Sequence, residues 1–230
     1  MLHPEGRFID ENDESLSYLF INKTDLRPFY IIEKEMKQLN SYCELTIRST
    51  KIKTDQIKNQ LKDYQSGKIE EDKKWEDSEY PIDWDLVYED IEFNDIPSWE
   101  ENVSFIAPSM ALVLLHIFVE KSLHRLCIDF YAPKKPFIQK KERESFIQSK
   151  LRFLKESCKF NFNIDDDIFI LLDQCRIIRN RFAHGDWNKI KSTINSINLF
   201  DAFCNVTNLF DSIEEGMPSN NNVKFMYEED

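Results

Sequence analysis

The residues best suited to chemistry lie in one short run in the last third of the chain. The run from Arg179 to His184 reads R-N-R-F-A-H and is followed by Gly185. Arginine is permanently charged and can bind two phosphate oxygens, whereas histidine exchanges protons near neutral pH. These residue types suit cleavage of a phosphodiester without a metal ion, because that reaction needs a proton acceptor, a proton donor and positive charge.

The spacing of these residues along a helix decides which side chains converge. Asn180 lies four residues before His184, so the two share one helix face, and Asn180 can orient the imidazole or contact the phosphate. Arg179 lies five residues before His184 and is therefore rotated from it by about 140° on an ideal helix. The helix dipole favours a positively charged imidazole at a helix C-terminus, where His184 is expected. One chain would therefore supply only part of a cleavage site.

The same run has a simpler interpretation. Arginine and histidine stabilise any helix C-terminus through the helix dipole, so a charged helix end without a catalytic role also accounts for the residues. Asp186, two residues after His184, would repel a phosphate. The residues by themselves leave both interpretations open.

The run resembles the signature of the HEPN superfamily, which is R-N-x-x-x-H near the end of a helix. The apolar segment from Ala111 to Leu126 is similar to the first helix of such bundles, in which an acidic residue often lies near the motif. Glu120 is the candidate for that residue. The resemblance spans residues 104–215 and leaves residues 1–103 unexplained. It implies a HEPN-like helical bundle. Apolar spacing in residues 30–64 and the acidic residues that follow complete the prediction of an all-α fold, a HEPN-like helical bundle with an N-terminal helical extension and an acidic connector.

The resemblance implies a metal-independent endoribonuclease that cleaves RNA through attack of the 2′-OH, in a toxin–antitoxin or phage-defence setting. RNA would be the substrate, and a homodimer would line one cleft with two copies of the motif. Neither a cofactor nor a metal ion is expected. The alternative is a non-catalytic HEPN-like module for dimerisation or protein interaction.

The predicted site has catalytic and RNA-binding members. The catalytic residues would be Arg179, His184, Asn180 and Glu120. The RNA-binding residues would be Arg176, Arg181 and Trp187, with the tryptophan either stacked on a base or packed against the protein. An antitoxin or regulatory protein would be a further partner. One subgroup of HEPN toxins has a tyrosine two residues after the histidine that a partner enzyme modifies, and Asp186 stands there, so no nucleotidyltransferase antitoxin is inferred.

Charge is distributed unevenly along a chain whose net charge is −12. Residues 121–191 contain 16 Lys and Arg against 9 Asp and Glu, whereas residues 68–101 contain 14 acidic residues and 3 lysines. This asymmetry predicts either two solvated faces of opposite sign or an acidic segment that shields a basic RNA-binding segment. An overall acidic chain argues against a general nucleic-acid coat protein.

Composition favours helices and a cytoplasmic location. The chain has only 4 glycines, 18 phenylalanines and 41% hydrophobic residues, which indicates few tight turns and a bulky core. Its 5 cysteines are scattered without a C-x-x-C pair, so we expect buried free thiols in a reducing compartment. The N-terminus lacks an apolar signal segment, and His116 interrupts the longest apolar run, Met110 to Val119, so no membrane span is expected.

Apolar residues at spacings of three and four predict the helices. Ser49-Thr50 marks a candidate break, Ser109 is a candidate N-cap, and His116 and His124 are expected to be satisfied core or boundary histidines. The predicted helices cover residues 30–64, 110–130, 142–160, 168–184 and 191–214. The predicted division of the chain is 1–103 for the N-terminal helical region with the acidic connector, 104–215 for the bundle and 216–230 for a loose tail.

Overall fold

Helices account for most of the protein. A computed structural model of the chain describes residues 19–66, 84–131 and 138–219. Of these residues, 78% are helical and none forms a β-strand. The all-α class predicted from the sequence is therefore confirmed.

The described residues form eight α-helices, and two π-helical turns join three of them into one uninterrupted run. The helices are α1 Arg27–Gln65, α2 Trp84–Asp90, α3 Ile96–Glu101, α4 Ala107–Asp129, α5 Phe146–Glu156, α6 Asp166–Ala183, α7 Trp187–Ile194 and α8 Leu199–Glu215. The π-helical turns are Ile91–Asp95 and Asn102–Ile106.

Helix α1 is continuous where a break was a candidate. The hydroxyl of Thr50 donates to the carbonyl of Thr46 at 2.7 Å, and the hydroxyl of Thr54 donates to the carbonyl of Thr50 at 2.8 Å. Both hydroxyls therefore hydrogen-bond to carbonyls of the preceding helical turn, so the helix continues through these residues.

Helix α4 begins earlier than predicted, and the proposed N-cap at Ser109 is wrong. The N–H of Ala107 bonds to the carbonyl of Asn102, as in a π turn, and Pro108 follows inside the helix. The wider π turn accommodates the ring and the missing N–H of the proline, which would otherwise disrupt a regular helix. Pro97 likewise follows the first π turn. Ser109 is consequently buried inside a continuous helix.

The predicted helix 191–214 is also wrong, because two helices occupy this stretch. Helix α7 ends at Ile194, and the side chain of Asn198 then accepts a hydrogen bond from the N–H of Phe200 at 2.9 Å. This side chain satisfies one of the free N–H groups of a new helix end, so α8 begins there. The preceding helix, α6, ends just before Gly185, whose φ of +71° suits glycine.

The chain divides into two compact units. Among the described residues, one unit contains those of 19–42 and 109–219, and the other contains those within Cys43–Pro108. The first part of α1 thus belongs with the helices that carry the motif. The predicted division at residues 103 and 215 stays a prediction.

The larger unit holds α4 in its core. Phe118 of α4 meets the ring of Phe210 of α8 edge-on, with centroids 5.7 Å apart. Glu35 of α1 accepts hydrogen bonds from both terminal nitrogens of Arg125 at 3.1 and 2.9 Å. Arg125 is the main reason that the pKa of Glu35 lies below its usual value. Fully buried side chains follow one another along α4: Leu112, Leu115, Val119, Leu123 and Leu126.

The smaller unit pairs the second part of α1 with part of the acidic segment. The ring of Tyr64 stacks on Tyr88, and its hydroxyl donates to Asp85 at 2.9 Å. The ammonium of Lys58 forms an ion pair with Glu100 at 2.5 Å. Residues 68–83 of the acidic segment lie outside the described residues, and its shielding of the basic segment stays a prediction.

One helical run is long and apolar enough to cross a membrane, contrary to the expectation that none would be. It comprises Asp85–Asp129, and half of its most apolar window is buried inside the structure. The core helix of a protein that never enters a membrane passes the same test, so the run is weak evidence for a span. The cytoplasmic location stays a prediction.

Candidate functional site

An ion pair joins α4 to α6 at the predicted motif. The guanidinium Nη1 of Arg179 lies 2.8 Å from Oε2 of Glu120, and the two side chains are 29% and 22% exposed. The side-chain oxygen of Asn180 lies 3.4 Å from Nε and from Nη2 of the same guanidinium. Three of the four predicted catalytic residues are therefore brought together.

His184, the fourth predicted catalytic residue, lies apart from them at the end of α6. Its backbone N–H donates to the carbonyls of Asn180 and Arg181, both at 3.2 Å. Its side chain is exposed and makes no hydrogen bond within the described part of the chain. The rotation between positions 179 and 184 along the helix thus separates their side chains within one chain.

A cleft of about 500 Å³ opens beside the ion pair. Helices α4 and α6 and the start of α5 form its walls, and its volume suits a ligand of nucleotide size. Arg179 and Asn180 line it, whereas His184 does not. The cleft is also lined by charged and aromatic side chains, among them His116, Glu120, Lys140, Arg143, Glu144, Phe146, Asp173, Arg176 and Arg179.

Every carboxylate of this cleft has an arginine partner. Arg152 binds Glu144 through two nitrogens, at 2.8 and 3.0 Å, and this contact is the main reason that the pKa of Glu144 falls to about 2. A charge held in such a pair repels an incoming anion less than an isolated carboxylate does. The three pairs are Glu120 with Arg179 at 2.8 Å, Asp173 with Arg176 at 2.7 Å and Glu144 with Arg152 at 2.8 Å.

Two cations of the cleft have no carboxylate partner within the described ranges. The ammonium of Lys140 lies 4.9 Å from the centroid of the Phe146 ring. Arg143 has a φ of +63°, a left-handed conformation that costs a non-glycine residue about 1 kcal/mol or more. Once the paired charges offset one another, these two cations leave the cleft with surplus positive charge.

His116 is the buried polar group of the cleft. It is only 2% exposed, and neither ring nitrogen has a hydrogen-bond partner in the part of the chain that the structure describes. Burial lowers the pKa of His116, the charges of Arg179 and Arg176 lower it further, and Glu120 opposes them. The expectation of a satisfied core histidine is therefore wrong, because this histidine is buried but unsatisfied. Its spacing of four residues from Glu120 was the signal in the sequence that could have placed His116 on the same helix face as the predicted site.

The three predicted RNA-binding residues have different surroundings. Arg176 lines the cleft. The guanidinium of Arg181 instead donates to the carbonyl of Lys189 at 2.5 Å, and it lies 3.3 Å from the hydroxyl of Thr193. These bonds tie α6 to α7.

Trp187 packs edge-on against Phe182, with ring centroids 4.7 Å apart, and 39% of the residue remains exposed. Neither Arg181 nor Trp187 lines the cleft. Their predicted contact with RNA stays a prediction.

No family profile, curated protein or solved structure matches this chain. The similarity to the HEPN superfamily consequently rests on the motif and on the order of helices, and it stays a prediction.

Proposed function

We propose that this chain is a metal-independent endoribonuclease of the HEPN type that acts in a toxin–antitoxin or phage-defence setting. The observation that carries the proposal is the ion pair between Glu120 and Arg179 at the wall of a basic cleft. The HEPN-like bundle would comprise residues 104–215. RNA is the substrate because its phosphodiester presents the oxygens that a positioned guanidinium binds and its 2′-hydroxyl supplies the nucleophile for cleavage without a metal ion.

In the proposed reaction, the 2′-oxygen of RNA attacks the adjacent phosphorus and the bond to the 5′-oxygen breaks. The products are a 2′,3′-cyclic phosphate and a 5′-hydroxyl. Arg179 stabilises the negative charge that grows on the phosphoryl oxygens, and Glu120 holds its guanidinium in place. The side-chain oxygen of Asn180 lies 3.4 Å from two nitrogens of the same guanidinium, and its amide N–H donates to a phosphoryl oxygen in the proposed complex. The 2′-hydroxyl releases its proton to solvent as it attacks. His184 supplies the proton that the leaving 5′-oxygen takes up and regains one from solvent afterwards.

The exposed position of His184 outside the cleft of its own chain supports a composite site. In a two-fold dimer every contact is repeated, so a second copy brings its own helix end opposite the first. Arg179 of one chain and His184 of its partner would then act on one phosphate. Glu120 offsets part of the repulsion among the cations that meet in such a cleft.

The direct test is incubation of the purified protein with labelled RNA in EDTA. Cleavage is expected to persist, and the variants Arg179→Ala and His184→Ala are each expected to abolish it. Lys189→Ala is the control, because Lys189 is an exposed cation that lies outside the cleft. A strict requirement for Mg²⁺, or full activity in either motif variant, would contradict the proposal.

Mixing the two inactive variants tests the composite site. A dimer of one Arg179→Ala chain and one His184→Ala chain contains one intact pair if the pair is shared between chains. After subunit exchange, activity should return to about a quarter of the wild-type level, since half of the dimers would carry one working site of two. A site built within one chain would regain nothing, and sedimentation analysis would establish whether the dimer exists.

The alternative is a non-catalytic HEPN-like module for dimerisation or protein interaction. The observation in its favour is that His184 does not line the cleft that contains Arg179. A dimer that shows no cleavage of any RNA in EDTA or in Mg²⁺ would favour this alternative.

A further inference from the structure

The cleft contains a buried histidine that the proposed reaction does not use. His116 is 2% exposed, and both of its ring nitrogens lack a partner among the described residues. A buried polar group without a partner costs about 1–3 kcal/mol, so such groups call for an explanation. Because His116 lines a cleft large enough for a ligand, a bound ligand is a natural partner for these nitrogens.

The charge of the cleft indicates the chemistry of that ligand. Each of its three carboxylates is paired with an arginine, whereas Lys140 and Arg143 have no carboxylate partner within the described ranges. Arg143 and Lys140 precede α5, whose first residues also line the cleft. The capping box at Ser145 occupies the N–H of Gln148, and the helix dipole still favours negative charge at this helix end. An anion with several acceptor oxygens matches this combination of groups.

We infer that His116, Lys140 and Arg143 bind a phosphate group of a nucleotide in the cleft. The choice of a phosphate ester as the ligand rests on the proposed function. The imidazole N–H of His116 donates to one phosphate oxygen, and the two cations bind the others. The second imidazole nitrogen accepts from a hydroxyl of the nucleotide. The phosphate belongs either to an RNA chain or to a free mononucleotide, because both present the same oxygens.

Binding can be measured on the folded wild-type chain, without changing the buried histidine. The protein is labelled with ¹⁵N at histidine, and the signal of His116 is assigned by substituting the other three histidines with glutamine, one at a time. Three ligands are titrated separately: inorganic phosphate, adenosine 5′-monophosphate and a 2′-O-methyl RNA hexamer. The hexamer cannot be cleaved because it lacks the attacking hydroxyl.

The ring signals of His116 are expected to shift saturably with adenosine monophosphate or with the hexamer. Tighter binding of the hexamer assigns the phosphate to an RNA chain, and tighter binding of the monophosphate assigns it to a free nucleotide. The double variant Lys140→Gln with Arg143→Gln should weaken binding by at least about tenfold, since it removes two charge-assisted bonds. Lys121→Gln together with Lys189→Gln is the matched control, because it removes two exposed cations outside the cleft and should leave the affinity unchanged.

Two results would overturn the assignment: no shift of His116 at millimolar concentrations of all three ligands, or equal affinity in the wild type and the double variant of the cleft. The outcome is independent of catalysis. If the protein binds the monophosphate at His116 but cleaves no RNA, the phosphate subsite is supported and the proposed endoribonuclease activity is refuted. If the protein cleaves RNA without any shift of the His116 signals, the endoribonuclease activity is supported and the phosphate subsite is refuted.

Discussion

Glu120 and Arg179, 59 residues apart in the chain, meet at 2.8 Å and join α4 to α6. Glu120 lies on a helix held in the core, and Arg179 lies one turn before the end of its own helix. Each side chain is less than one-third exposed, so solvent screens the pair less than it screens an ion pair on the surface.

Glu120→Gln should lower the free energy of unfolding by about 1–2 kcal/mol, between the values for surface pairs and fully buried pairs. The substitution keeps the shape of the side chain but removes its charge, so Arg179 loses its electrostatic restraint. Urea denaturation measures the change, and RNA cleavage should fall with it. Lys37→Gln breaks a pair with Glu33 four residues away in α1, in which the lysine side chain is 53% exposed, and it should cost less than about 0.5 kcal/mol. An equal loss in both variants would contradict the structural role of the Glu120 pair.

Two glycines should tolerate alanine differently, for two different physical reasons. At Gly185 an added Cβ meets only Trp187 at 3.8 Å, but the φ of +71° strains any other residue, so Gly185→Ala should cost about 1–2 kcal/mol. At Gly216 the Cβ would lie 2.4 Å from the carbonyl oxygen of Asn161, which must move. Gly216→Ala should therefore destabilise the protein more, by roughly 3 kcal/mol or more. A lower urea midpoint for Gly185→Ala than for Gly216→Ala would contradict this interpretation.

Removing the buried carboxylate of Glu214 should destabilise the larger unit. Its Oε1 accepts from the N–H groups of Lys23 and Thr24, both at 2.9 Å, and from the Thr24 hydroxyl at 2.6 Å. Glu214→Ala leaves these donors unsatisfied and should cost about 2–4 kcal/mol in urea denaturation. The neighbouring Glu215→Ala removes only an exposed pair with Lys23 and should change the stability by less than about 1 kcal/mol. Similar losses in the two variants would contradict the role of Glu214 as the acceptor for Lys23 and Thr24.

The cysteines should resist thiol reagents until the chain unfolds. Burial raises the pKa of Cys127 and of Cys175 to about 12, and that of Cys43 and Cys158 to about 11. Since the thiolate is the reactive form, a disulfide reagent at neutral pH should modify these four thiols slowly in native protein and rapidly in urea. Cys204 is less buried and should react first. Rapid native modification of Cys175 would show that the core around α6 opens readily.

Stability should fall as the pH falls below about 6.5, the ordinary pKa of an unfolded histidine. His116 has a lowered pKa in the folded chain, so the unfolded chain takes up a proton that the native imidazole does not. The groups that act on this imidazole are Glu120 from α4 and Arg176 and Arg179 from α6. Lys140, Arg143, Glu144 and Asp173 also line the cleft.

Urea denaturation at about pH 7.5 and about pH 5.5 measures this dependence, in a window above the ordinary carboxylate pKa values. His116→Leu should reduce the slope of stability against pH, because it removes the titrating group. His124 also has a lowered pKa, mainly from burial, so part of the slope should remain in that variant. An identical slope in wild type and variant would show that His116 is not the group responsible.

Features that depend on neighbours within four residues could be predicted from the sequence. Ser145 and Gln148 form a reciprocal capping box at the start of α5, although the helix was predicted to begin at residue 142. Gly185 follows α6 in the left-handed conformation expected for its position. The cap at Asn198 and the π turn before Pro108 were missed, because a polar side chain or a proline admits several local structures and packing selects one.

The sequence by itself determined that the chain is helical and that the basic motif ends a helix, because periodicity and helix-end preferences are local properties. Only the tertiary structure decided which motif residues meet. It placed Arg179 and Asn180 of α6 beside Glu120 of α4 and left His184 outside the cleft. Arg179 and His184 are separated because their positions are rotated from one another along α6. It also placed His116 in the cleft without a partner. Whether a buried histidine is satisfied depends on side chains distant in the sequence, and helical spacing carries no information about them.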